Sequence, residues 1–360
     1  MYLNITSSPL LCAMSPPPLK SLNVARVFAE FWVVHLHFMA DHSAAMGIFV
    51  EDLMSFFFVL SGFVMTYTHR DDDLSDFVLI KAFWWNRIRK MYPVFLIFWV
   101  LGVVLNAADG LYANATRGTI LCHVSQLFMM SGWLGCESNL VNGVSWYLHA
   151  LFWMWLAFPW LLRLQLRFRR TPLPILSGLS MGLILLFRPL GYWKYAPLPP
   201  ARVVEFYMGG VAALSEDEPK RVVAISALLF LVLFYVGIYY LELFCKQPCT
   251  TGLWSFAGTC LIDWSYAFPT KFAWLWVHII HWLASTAFFT EDHNNTLLQT
   301  LNSFSLHLYL GHAIIHSLLS RLSVALRSYR DWGLHTLFLA VYGLSYGCKL
   351  LLDSCSFAWC

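Results

Sequence analysis

The sequence predicts an all-α, polytopic transmembrane helix bundle of about ten helices, and three observations carry that prediction. Only 12% of the 360 residues are charged and 59% are hydrophobic, whereas a soluble domain carries about 25% charged residues. A mean hydropathy of +0.61 leaves too little polar side chain to cover a water-facing surface, so lipid must cover it. Apolar runs recur along almost the whole chain at the length, about 20 residues, that crosses a hydrocarbon core. Backbone groups in lipid must be bonded within their own segment, and the alternation of a membrane barrel is missing, so the runs read as helices. The net charge of +3 is too small to argue for nucleic acid, and the basic residues cluster between apolar runs, as in membrane proteins.

In chain order the spans read as 22–40, 48–68, 92–109, 146–163, 173–190, 202–214, 221–242, 272–290, 304–320 and 332–352. The sixth is short. Residues 118–133 (TILCHVSQLFMMSGW) read either as an eleventh span or as an amphipathic segment in the interface, because polar residues interrupt the run. The spans form one transmembrane domain over 22–352, between an N-terminal cytoplasmic tail, 1–21, and a C-terminal tail, 353–360. Pro16, Pro17 and Pro18 stand where a cleaved signal peptide would need a basic start and an apolar core, so the first helix does the targeting. No internal repeat or low-complexity tract is visible.

Lysine and arginine placement favours a cytoplasmic N-terminus. The loops after spans two, four and six then carry Arg70, Lys81, Arg87, Arg89 and Lys90, next Arg163, Arg167, Arg169 and Arg170, then Lys220 and Arg221. The opposite loops are sparser, although one holds Arg188, Lys194 and Arg202, and the last holds Arg321, Arg327 and Arg330. The sequon at Asn114 then faces outside or the lumen, whereas those at Asn4 and Asn294 stay cytoplasmic. Of nine cysteines, Cys122, Cys136, Cys245, Cys249 and Cys260 fall in the outside loops. A disulfide or two fits an oxidising compartment, with the pairing left open by the spacing.

The first span holds Arg26, Glu30, His35, His37, Asp41 and His42 in or beside a helix that otherwise meets lipid. Ionisable groups there cost a few kcal/mol each, so they should face the bundle interior or water. At about 100° per residue, Arg26, Glu30, His37 and Asp41 lie close to one stripe and His35 points elsewhere. Asp41, one turn beyond His37, can hold its ring and raise its basicity, as a general base acting on a hydroxyl requires. The same pattern also fits a helix end with a snorkelling arginine and solvated histidines.

Arg26, ten residues and then His37, with Ala29, Val33 and Val34 between, resembles the first helix of the acyltransferase-3 family of integral membrane O-acyltransferases. Three further stretches agree in order: Ser55–Phe63 (SFFFVLSGF), Arg87–Pro93 (RIRKMYP) and Ser305–His312 (SLHLYLGH). Ser145-Trp146-Tyr147-Leu148 followed by Pro159 resembles the family's tryptophan-led helix. The likeness covers residues 22 to about 320. It implies acyl transfer, of acetyl or another acyl group, from acyl-CoA as donor substrate to a hydroxyl of a carbohydrate, lipid or secondary metabolite. His37 is the implied catalytic residue, helped by Arg26, Glu30 and Asp41. Arg87, Arg89 and Lys90 would meet the CoA phosphates, and Trp146, Tyr309 and His312 would contact substrate.

Departures from the family pattern are specific. Leu151 replaces the common Glu five residues after the tryptophan, Lys90 stands where the family has Arg, Ser55 where many members are acidic, and no Glu-x-Pro occurs near Lys349–Asp353. Taken alone, Arg87, Arg89 and Lys90 also fit a positive-inside stop signal, Ser61-Gly62 fits helix packing, and Trp146 fits an interfacial belt. The pairs His278/His281 and His312/His316 lack a third ligand for a metal. A transporter or flippase using the buried charges as a proton or substrate path is the alternative from another class. The location reads as plasma membrane or endomembrane.

Overall fold

A computed structural model describes residues 19–40, 44–72, 74–136, 141–169, 175–176, 178–179, 182–183, 199–215, 220–244, 255–256, 259–260, 272–286, 296–326, 343 and 347. Among these residues the fold is all-α. The helices are α1 (Lys20–Ala40), α2 (Ala44–His69), α3 (Phe77–Ala108), α4 (Arg117–Leu127), α5 (Trp146–Arg167), α6 (Pro199–Ala213), α7 (Arg221–Phe244), α8 (Ala273–Ser285) and α9 (Thr296–Leu326). Two short strands, β1 (Ser255–Phe256) and β2 (Thr259–Cys260), pair antiparallel. The expected spans at 173–190 and 332–352, apart from a few isolated helical positions, together with residues 1–18, the C-terminal tail and Asp41, lie outside the described residues, and α1 starts at Lys20, inside the expected N-terminal tail.

One of these helices, Phe77–Ala108, is by itself long and apolar enough to cross a membrane. It also departs from the expected span of 92–109, starting at Phe77, where the Asp76 side chain accepts the Val78 N–H at 2.9 Å and caps the helix. Lys81, Arg87, Arg89 and Lys90 therefore stand on helix walls and not in a loop. At about 1.5 Å per residue, its 32 residues are longer than an apolar core of about 30 Å is thick.

α2 is the central helix. Asp52 through Leu60 are all buried, which is the signature of a helix packed on every side. Its largest contact is with α6, where two glycines let the backbones touch: a Cβ on Gly62 would come within 1.8 Å of the Phe206 carbonyl oxygen, and one on Gly209 within 1.9 Å of the Val59 carbonyl oxygen. The expected packing role of Gly62 is thus met, with Gly209 as its counterpart. α1 lies against α2 and α9, α8 against α2 and α7, and α5 against α6.

The ambiguous stretch at 118–133 is not an eleventh span, and it packs on the bundle. α4 has 11 residues, about 16 Å, too short to cross. Tyr92 Oη donates to the Leu127 carbonyl at 2.9 Å, although the chain left α3 sixteen residues later, at Ala108. The segment therefore doubles back along α3, is clasped by a Cys122–Cys136 disulfide, and turns at Met129, which has a left-handed φ of 57°. That conformation costs about 1–2 kcal/mol for a residue with a Cβ. It is held by burial and by Trp153 Nε1, which donates to the Met129 carbonyl at 2.8 Å.

Arg202 corrects another expectation. It is 0% exposed inside α6, not in an outer loop, and faces Glu205 one turn along. Arg202 Nη1 donates to both Glu205 carboxylate oxygens and to Ser55 Oγ, each at 3.1 Å, while Ser55 Oγ donates to Glu205 Oε1 at 2.8 Å. The guanidinium lies between the rings of Phe58 and Trp146, 5.3 and 5.4 Å from their centroids.

Candidate functional site

The sequence places Arg26 and Glu30 one turn apart on α1, and the fold turns that face toward α2, α5 and α9. Arg26, Glu30, Ser61, Tyr147 and Ser305 converge on a cavity of about 450 Å³, with Arg87 also on its wall. Ser305 Oγ donates to the buried Glu30 carboxylate, and the Arg26 charge acts on the same group. Ser61 Oγ and Tyr147 Oη share a hydrogen bond of 3.2 Å. The remaining wall is largely apolar and includes Leu148, Leu151 and Trp155 from successive turns of α5. Glu30 is buried and Arg26 and Arg87 are half-buried, so charge here is screened less than at an open surface.

His37 belongs to an adjoining cluster. Its Nδ1 donates to the Val33 carbonyl one turn back at 2.8 Å, so the neutral ring keeps the lone pair at Nε2, the tautomer of a base. The ring packs against that of His312, with centroids 4.9 Å apart. His312 in turn meets Tyr309 at 5.9 Å, and Tyr309 meets Tyr147 at 5.4 Å. Tyr309 lines the cavity, so it joins the two clusters. Its own position is fixed by Oη donating to the Val144 carbonyl at 2.7 Å, and Asn142 Nδ2 donates to the adjacent Leu310 carbonyl at 2.8 Å. The doubled-back segment thus holds the helix that carries His312.

Of the residues singled out in the sequence, Arg26, Glu30, Arg87 and Tyr309 share the cavity, and His37 and His312 share a contact. Arg87, Arg89 and Lys90 do not share one face of α3. Arg87 lines the cavity, whereas Arg89 and Lys90 are exposed on other faces of α3, as about 100° per residue requires. Trp146 stacks on Arg202 at the start of α5. The ring of His37 donates to a carbonyl of α1 itself, and the Glu30 carboxylate accepts from Ser305. Sequence reasoning overlooked Tyr147 and Ser305 as cavity groups, and also the Arg202–Glu205 pair. The pair had a legible signal, since two opposite charges three residues apart flank an apolar run.

Residues 19–353 match the family model described as an acyltransferase domain. The acyltransferase MdmB of Streptomyces mycarofaciens is 30% identical over 231 residues, a match that covers 54% of this chain and 57% of that protein. The chain therefore spans little more than half the length of this curated relative. No solved structure matches the chain. With the matched region running from the start of α1 to beyond α9, the chain belongs to the acyltransferase-3 family.

Proposed function

We propose that the protein is a multi-pass membrane O-acyltransferase of about ten spans that takes acyl-CoA from the cytoplasm and acylates a hydroxyl presented near His37. The observation that carries this reading is the joined site: a charged cavity with Arg87 on its wall, linked through Tyr309 to a histidine whose Nε2 bears the lone pair. The acyltransferase domain supplies the reaction class, and the Cys122–Cys136 bond agrees with an oxidising compartment on the side opposite the N-terminus.

In this mechanism the phosphates of the donor meet Arg87 and its thioester lies toward Arg26 and Tyr309. His37 Nε2 removes the acceptor hydroxyl proton as the oxygen bonds to the thioester carbonyl carbon. Negative charge gathers on the carbonyl oxygen, where Arg26 stabilises it. Collapse breaks the carbon–sulfur bond, and the proton on His37 passes to the departing thiolate, leaving an ester and free CoA thiol. The Val33 carbonyl holds the His37 ring in the required tautomer and His312 packs against it, while the negative charge of Asp41, one turn beyond in the sequence, raises its basicity. Trp146 shapes the site through the start of α5.

The test is release of CoA thiol from acetyl-CoA by the purified, detergent-solubilised protein and its His37→Ala variant, with a membrane glycolipid extract as acceptor and a folding control for each. Thiol release lost only in the variant supports the proposal. Transport of a substrate across vesicles without thiol release would overturn it in favour of a transporter.

A further inference from the structure

His69 ends α2 and lies one residue past the expected span. Its Nδ1 donates to Asp72 Oδ2 at 2.5 Å, and its Nε2 accepts from Arg87 Nη2 at 3.0 Å. Both ring nitrogens are thereby assigned, because a carboxylate can only accept and a guanidinium can only donate. The ring is wedged against Phe83 of α3 and Phe158 of α5, with centroids 5.2 and 5.9 Å away. Arg87 is braced in turn over the Phe83 ring at 5.6 Å. One donor of the guanidinium is thus anchored at His69, and Arg87 also lines the cavity.

We propose that His69 is a positioning residue for donor binding: with Asp72 it holds Arg87 on the cavity wall, and it releases Arg87 when the imidazole takes a second proton. The proposal rests on the reading of Arg87 as a ligand for the acyl-CoA phosphates. A protonated His69 has no lone pair at Nε2, and its new N–H would point at the guanidinium across a 3.0 Å gap, donor against donor and cation against cation. Arg87 must then move away. The titratable groups facing His69 among the described residues are Asp72 from the α2–α3 connection and Arg87 from α3; α5 presents the Phe158 ring. Burial is the main influence and pushes the imidazole below its ordinary range, with Asp72 acting the other way and Arg87 reinforcing the shift. The neutral, Arg87-holding form is therefore present at neutral pH and is lost as the pH falls.

The experiment is the affinity of the purified protein for acetyl-CoA from about pH 7.5 down to about pH 4, a window extended to the acid side because burial holds His69 below the ordinary histidine range. It is measured for the wild type, His69→Gln, Asp72→Asn and Arg87→Met. Glutamine keeps an acceptor near the Nε2 position and does not titrate. The 3′-phosphate of CoA titrates in the same range, but its effect is shared by the wild type, His69→Gln and Asp72→Asn, which all keep Arg87, so the difference among those three is the readout. Loss of one charged hydrogen bond predicts an extra weakening of about tenfold in the wild type at the acid end. His69→Gln should keep near-neutral affinity and lack the extra weakening, and Asp72→Asn should move it to lower pH, since removing the carboxylate makes His69 harder to protonate. Equal pH profiles for wild type, His69→Gln and Asp72→Asn, with Arg87→Met weakened throughout, would overturn the role of His69 alone. Unchanged affinity in Arg87→Met would instead remove Arg87 from the donor site, and this proposal with it. Asp72, an exposed residue, keeps the test open if His69→Gln does not fold.

Discussion

The rings of His37 and His312 lie in contact, 4.9 Å between centroids, although one sits on the first helix and the other on the last of the nine described. That contact gives His312 an effect on His37 without assigning it any bond to substrate. On the proposed mechanism His37→Ala should reduce transfer to background, because it removes the base. His312→Phe keeps a ring against His37 and should retain most of the activity. His312→Ala leaves a gap beside the base and should lose about 10- to 100-fold, the order set by misplacing a catalytic group. Single-turnover rates with a fixed acceptor check the order of the three.

Gly62 and Gly209 allow the α2–α6 backbones to touch. Alanine at either position would put its Cβ inside a carbonyl oxygen of the other helix, and backbone cannot yield as a flexible side chain does. Gly62→Ala or Gly209→Ala should each cost about 1–3 kcal/mol or more. The pair should cost less than the sum, since one separation of the helices relieves both clashes. Thermal unfolding in detergent measures this.

Arg202 and Glu205 are both 0% exposed. Removing one member leaves the opposite charge buried, so Arg202→Met or Glu205→Leu should each destabilise by about 3–5 kcal/mol. The double variant should recover most of that loss, because an apolar pair avoids desolvating charge. Recovery by the double variant, read from the same unfolding curves, separates a structural pair from a catalytic one, which would not regain activity.

The Cys122–Cys136 bond closes a loop whose Gln126 accepts the Val141 N–H, next to the Asn142 and Val144 that hold Leu310 and Tyr309. Closing a loop of this size contributes about 3 kcal/mol in the chain-entropy account. Cys122→Ser should therefore lower the unfolding temperature and reduce transfer while leaving acetyl-CoA affinity near the wild-type value. Glycosylation at Asn114 in a eukaryotic host, scored by a mobility shift on deglycosylation, should place the same connection outside the cytoplasm.

Composition and motif order alone determined the helical class, the lipid-suited surface, the family and the His37 stripe on α1. These depend on residue type and on the period of one helix, and both are written locally. The structure decided which faces meet. Arg87, Arg89 and Lys90 are neighbours in sequence, yet Arg87 lines the cavity and the other two face outward. Arg202 borders a predicted span and is instead sealed against Glu205, Ser55, Phe58 and Trp146. Residues 117–136 interrupt their apolar run with polar groups, and those groups find partners only because the chain folds back: Gln126 Oε1 accepts the Val141 N–H at 3.0 Å, and Ser131 pairs with His149. Helical period fixes which side chains share a face, but the partner of a face is chosen by packing between helices far apart in the chain, and no local pattern records that choice.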